Sequence, residues 1–174
     1  IAVLGDAKAS LKALYDLIEE KEHKDWLEEF RKLEFEEYTE VIHQELNPNG
    51  EDLTMGEVVG SINEYSKGKA IVVTDVGQHQ MVSCRYAKFK QTRSLITSGG
   101  LGTMGFCLPA AIGAKFAAPN REVIAIIGDG GFQMTIQELG TIFQTKTPVK
   151  IVVLNNEFLG MVRQWQELFF DKRY

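Results

Sequence analysis

Three nearly uninterrupted apolar runs constrain this chain more than any other feature: "AIVVTD" at 70–75, "EVIAIIGD" at 122–129 and "VKIVVLNN" at 149–156. Around them lie a loop and helix through "GQHQMVSCRYAKF", helical stretches at "FCLPAAIGAKFAA" and "FQMTIQELGTIF", and a short strand, "SLITS". A strand that is apolar on both faces must be covered on both, and strands that alternate with helices are joined by crossovers into a parallel sheet. The fold class that follows is α/β, an open parallel sheet with helices on both faces, preceded by a helical connecting segment. The spacing predicts one helix through "FQMTIQELGTIF", starting at about Phe132, and a last helix from about Gly160.

The N-terminal part reads differently. "IAVL" is a strand-like run, followed by a helical pattern in which Leu11, Leu14, Leu17 and Ile18 recur every three or four residues. A strand and helix at the very start read as the tail of an earlier domain, residues 1–20. Residues 21–45 are charge-rich but carry Trp26, Phe30, Leu33, Tyr38 and Val41, which predicts one or two amphipathic connecting helices ended by "LNPNGED". We divide the chain accordingly into 1–20, a charged helical linker at 21–52, and a main domain at 53–174. Thr54 and Glu57 have capping-box spacing before the stripe Met55, Val58, Val59, Ile62 and Tyr65, so a helix starts there.

Composition removes several function classes. A net charge of -5 and a pI near 5.3, with no basic cluster denser than "KFKQTR" at 88–93, argue against a nucleic-acid surface. No apolar run reaches the roughly 18 residues that a membrane span needs. Cys84 and Cys107 lie far apart with no metal-ligating spacing, which fits packing thiols in a reducing compartment. We expect a cytoplasmic location. His23 and His43 sit in the charged segment and read as solvated.

The chemistry concentrates at the ends of the apolar runs. Gly100, Gly102 and Gly105 satisfy GxGxxG between a strand and a helix, the pattern of a dinucleotide site and also of a tight strand-to-helix turn. A second pattern is more informative. "GDGG" ends one run at 128–131 and Asn156, in "NN", ends the next, 27 residues beyond Asp129. A right-handed crossover puts both at carboxyl ends of neighbouring strands, where open α/β sheets bind ligands, and the following helix points amide donors into the same crevice. One carboxylate and one amide are too few to hold a divalent ion. Magnesium favours six oxygens and takes several from substrate phosphates, so a diphosphate completes the set. Asp129 and Asn156 supply side-chain oxygens and the Phe158 region a backbone carbonyl, while Gly128, Gly130 and Gly131 allow close backbone approach. Read separately, "GDGG" is a turn and "NN" a cap.

The "GDG" and downstream Asn resemble the thiamine diphosphate signature. "GQHQM", "TSGGLGTMGFCLPAAIGAKFA", "GDGGFQMTIQEL" and "NNEFLGMVRQWQ" together resemble the catalytic large subunit of the acetohydroxyacid (acetolactate) synthase family, densely over 70–174 and more weakly before. The resemblance implies thiamine diphosphate and Mg²⁺, with Asp129, Asn156 and Phe158 around the metal and Gly77, Gln78, His79, Gly102, Met104 and Met161 along the cofactor. Met104 would be the apolar wedge that bends it. His79, in a loop after a strand, would lie near the diphosphate or the reacting centre, and Trp165 would line the acceptor pocket, favouring 2-oxobutanoate over a second pyruvate.

The implied activity is decarboxylation of pyruvate and transfer of its two-carbon unit to a second 2-oxo acid, in branched-chain amino-acid synthesis. Implied partners are a second catalytic chain, as homodimer or tetramer, and a regulatory small subunit; FAD belongs to the complete enzyme. The family's activating Glu lies on another domain, so no Glu here, Glu138 and Glu157 included, takes that role. The chain ends at "FFDKRY", before the family's closing C-terminal segment, and as an isolated fragment is expected to be inactive, with at best weak cofactor binding. Two other readings stand beside this one: another thiamine diphosphate enzyme, such as a pyruvate oxidase, glyoxylate carboligase or 2-oxo acid decarboxylase, and a non-catalytic dinucleotide-binding module.

Overall fold

The structure, a computed structural model, describes residues 2–50 and 52–173. Chain contacts divide it into two compact units, with the boundary after Ile42.

The first unit is helical. α1 spans Ala7–Leu17 and is capped by Asp6, whose carboxylate accepts the Ala9 amide at 3.0 Å, satisfying a donor that has no intrahelical partner. α2 spans Lys24–Glu37 and runs into a π-helical segment, Tyr38–Ile42, in which the Thr39 hydroxyl bonds back to the Phe35 and Glu36 carbonyls, at 3.0 Å each. The strand expected at "IAVL" does not form over Ala2–Leu4, which has no ladder partner among the described residues; Ile1 lies outside them. Over the charged stretch the chain is helical, with Trp26 and Phe30 packed edge to face at 4.7 Å.

The second unit opens with α3, His43–Leu46, and α4, Met55–Ser66. Thr54 caps α4 by accepting the Glu57 amide at 3.1 Å, the half of the capping box that the sequence marked, and its hydroxyl donates to the Glu45 carbonyl. Glu51, in the "LNPNGED" boundary, is outside the described residues. Next come β1 (Ile71–Thr74), α5 (Gln78–Tyr86), β2 (Leu95–Ile96), α6 (Cys107–Ala117), β3 (Val123–Gly128), α7 (Asp129–Met134), α8 (Glu138–Thr145), β4 (Lys150–Leu154) and α9 (Gly160–Phe169). All four strands are parallel, in the order β2-β1-β3-β4, with Val73 opposite Ala125 and Ile126 opposite Val152. Ile71, Val73, Val123, Ala125 and Ile127 share one sheet face and pack on Cys107, Leu108, Ala111 and Ala114 of α6. Strand alternation turns Val72, Ile124 and Ile126 to the other face, where α5 packs on β1 and β3 and α4 on α5. Each fully buried Val, Leu or Ile contributes roughly 1.5–3 kcal/mol. Among the described residues no helix is long and apolar enough to cross a membrane.

Two expectations are corrected. "FQMTIQELGTIF" is two helices, and the first begins at Asp129 rather than at about Phe132. The break falls at Thr135, whose hydroxyl donates to the Gly105 carbonyl at 3.0 Å, a tertiary bond that competes with a continuous helix. "GQHQM" is likewise no loop: Gln78 is the first residue of α5, and His79 lies in its first turn.

Candidate functional site

β2 and β3 flank β1 on opposite sides, so the winding direction of the sheet reverses between β1 and β3. A crevice opens at the carboxyl ends of strands at such a switch point. Here a cavity of about 220 Å³ lies over those ends, and Gly77, Gln78, His79, Gly102, Met104, Gly128, Asp129, Gly130, Gly131, Asn156, Phe158 and Met161 all line it. Three strand ends and the segment before α6 thus bring together residues up to 84 positions apart (77 to 161). Trp165 is the exception. It does not line the cavity; it is 56% exposed, with its ring 4.9 Å from Phe169 one turn on.

His79 is held tightly. A Cβ on Gly77 would lie 2.8 Å from the imidazole and one on Gly128 3.0 Å, so bare backbone packs against the ring. The ring bonds to the Asp75 backbone carbonyl, and its Nε2 is buried without a protein partner among the described residues. Burial pushes its pKa below 6.5, opposed by the charges of Asp75 and Asp129 and by the bond to Asp75. A buried polar atom without a partner is costly, and a ligand atom at Nε2 would remove that cost.

Asp75, at the end of "AIVVTD", was not singled out from sequence. It is fully buried, and its carboxylate accepts the Gly105 amide at 3.0 Å and the Phe106 amide at 3.2 Å. These amides lead into α6, the helix that follows the GxGxxG pattern, so the donors that a pyrophosphate would need there are already taken by protein. That disfavours a dinucleotide on this loop, although Gly102 lines the cavity. A Cβ on Gly131 would overlap the same carboxylate, so only glycine lets α7 approach β1 this closely.

Asn156 is oriented from two sides. Its Oδ1 accepts the Phe158 amide at 3.2 Å and its Nδ2 donates to Gln78 Oε1 at 3.4 Å, while Gln78 Nε2 reaches Gln164 Oε1 at 3.4 Å. Among the described residues no group of three or more His, Cys, Asp or Glu side chains could hold a metal. The polar part of the cavity lining is one carboxylate, Asp129, the side-chain amides of Gln78 and Asn156, the His79 imidazole, and glycine backbone around them. The apolar part of the lining includes Met104, Met161, Val76, Leu154, Leu159 and Met55. Met55 and Leu159 were not foreseen as lining, because on a helical stripe or in a loop a methionine or leucine looks like ordinary core.

Fold and site together define an α/β module with a ligand cavity at the sheet's switch point. The profile of the family described as "Thiamine pyrophosphate enzyme, C-terminal TPP binding domain" matches residues 75–174, and the chain belongs to that family. It is 47% identical over 174 residues to the acetolactate synthase large subunit of Lactococcus lactis subsp. lactis (strain IL1403), covering 99% of this chain and 29% of the relative. It is 41% identical to the acetolactate synthase isozyme 2 large subunit of Escherichia coli (strain K12), covering 100% of this chain and 30% of the relative. It is 49% identical to the acetolactate synthase large subunit of Buchnera aphidicola subsp. Schlechtendalia chinensis over 126 residues, 72% of this chain and 22% of the relative. The chain thus spans less than a third of the length of these relatives.

Proposed function

We propose that this chain is the cofactor-binding portion of a thiamine diphosphate- and Mg²⁺-dependent carboligase of the acetolactate synthase type. The protein would decarboxylate pyruvate and add the two-carbon unit to pyruvate or 2-oxobutanoate, in branched-chain amino-acid synthesis. The observation that carries the reading is the convergence of Asp129, Asn156 and the glycines at 128, 130 and 131 on one cavity lined by Met104. When bound, thiamine diphosphate supplies an electron sink for the carbon that loses CO₂.

The residues of the chain have separable tasks. Asp129, the Asn156 side-chain oxygen and the Phe158 carbonyl would hold Mg²⁺, which would supply positive charge for the diphosphate. Gly77, Gln78 and His79, which line the cavity, would border the diphosphate. Met104, Gly102 and Met161, which line the same cavity, would give the rings an apolar, polarizable surface. Trp165, one helical turn beyond Met161, belongs to the acceptor side. None of these residues needs to act as a nucleophile. The activating acid, FAD, a second catalytic chain and a regulatory subunit are assigned to no residue of this chain, and a cytoplasmic location accords with its composition.

The test is product formation by the full-length protein that carries this segment, given pyruvate with and without 2-oxobutanoate. We expect acetolactate and acetohydroxybutyrate only when both thiamine diphosphate and Mg²⁺ are present. Acetaldehyde or acetyl phosphate as the main product would move the protein to another thiamine diphosphate class.

A further inference from the structure

Three walls of the cavity refer to a single residue that does not line it. The Asp75 amide donates to the Ile126 carbonyl at 3.0 Å, which registers β1 on β3. Its carbonyl engages the His79 ring. Its carboxylate takes the Gly105 and Phe106 amides and fills the space that a side chain at position 131 would need. We propose that Asp75 is a positioning residue for the cofactor: by holding the amides that directly follow Met104, it sets the turn that presents this thioether to the cavity. The proposal rests on the thiamine diphosphate reading above.

A carboxylate is suited to the task in a way that an amide is not. Gly105 and Phe106 both present N–H donors, and a carboxylate offers an acceptor oxygen to each. Asparagine at position 75 would offer one oxygen and turn an NH₂ group towards the second donor, so the turn would shift even though the side-chain volume is nearly unchanged. Bonds to a charged acceptor are about twice as strong as neutral ones, and here both lie in buried or half-buried surroundings. Met104 sits directly before this clamp, and its methyl reaches to 3.8 Å from where a Cβ on Gly130 would be. A displaced turn therefore moves the apolar surface relative to the cradle, whereas β3, paired on both sides, stays in place.

The experiment is a double-mutant cycle in the full chain: wild type, Asp75→Asn, Met104→Ala and the double variant. The dissociation constant of thiamine diphosphate is measured by calorimetry in excess Mg²⁺, and the exchange of the Gly105 and Phe106 amides by NMR. Asp75→Asn alone is expected to weaken binding about tenfold, but less than threefold in the Met104→Ala background, because the clamp acts through the residue already removed. Exchange at Gly105 and Phe106 is expected to rise at least tenfold while β3 amides keep their protection, a local signature that a general loss of stability would not give. Equal affinity for wild type and Asp75→Asn, or the same factor in both backgrounds, overturns the proposal. If Asp75→Asn lowers the folded fraction, Asp75→Ser, smaller and with a single acceptor, is put through the same cycle. A wild-type chain that binds no thiamine diphosphate overturns the cofactor reading and this proposal with it; a wild type that binds, with losses that multiply, removes Asp75 alone.

Discussion

Gly131→Ala is the smallest change that tests the packing of the cradle. The added methyl would overlap the Asp75 carboxylate, so either α7 moves off the sheet or the carboxylate leaves the Gly105 and Phe106 amides, its partners at 3.0 and 3.2 Å. Two hydrogen bonds to a charged group are together worth roughly 3–6 kcal/mol. Alanine is the better helix former by about 1 kcal/mol, which offsets part of this. A net destabilisation of about 2–5 kcal/mol follows, readable as a lower midpoint in urea denaturation monitored by circular dichroism. The overlap identifies its own suppressor. In an Asp75→Ala background the same substitution should cost less than about 1 kcal/mol, because the methyl then enters vacated space and the amides have already lost their acceptor. A Gly131→Ala variant within about 0.5 kcal/mol of wild type, or equal costs in the two backgrounds, would refute the reasoning.

Other perturbations address other parts of the site. The His79 pKa in the folded chain lies below 6.5, so the unfolded chain takes up the proton first; the contribution of this residue to stability is full above about pH 6.5 and is lost as the pH falls through the folded value. Wild type should therefore lose more stability than His79→Gln between about pH 7.5 and pH 5, and parallel profiles would contradict this. Thr135→Val removes the hydroxyl that bonds the Gly105 carbonyl and should cost about 1 kcal/mol, measured by the same denaturation; no change would show that the α7–α8 break has another cause. Trp165→Leu in the full-length protein should alter the ratio of products from the two acceptor acids more than the total turnover. An unchanged ratio would leave Trp165 as a surface partner of Phe169.

The sheet was legible because each of its long strands is apolar on both faces, a pattern that few other folds tolerate. The positions of Asp129 and Asn156 followed from topology, since parallel strands joined by right-handed crossovers end at the same edge. The break at Thr135 was not legible, because it comes from a bond to Gly105, 30 residues away, and propensity reports only neighbours. The helical start at Gln78 was hidden by "VGQH", in which Gly77 reads as a turn although it is the cap. Asp75 escaped for a related reason. An acid closing an apolar run usually marks a solvated strand end, and only the three-dimensional return of Gly105 and Phe106 shows that it is buried. No strand forms over Ala2–Leu4 of "IAVL" because an apolar run forms a strand only where a neighbouring strand receives it.

Whether the cavity over β1, β3 and β4 holds thiamine diphosphate through a magnesium ion at Asp129 is decided by calorimetric titration of the full-length protein that carries this segment. Thiamine diphosphate is titrated with and without Mg²⁺, against wild type and Asp129→Ala, with NAD as a control. Wild type is expected to bind only when Mg²⁺ is present, with neither binding by Asp129→Ala nor a response to NAD. Binding that ignores the metal, or that Asp129→Ala retains at wild-type affinity, would contradict that expectation.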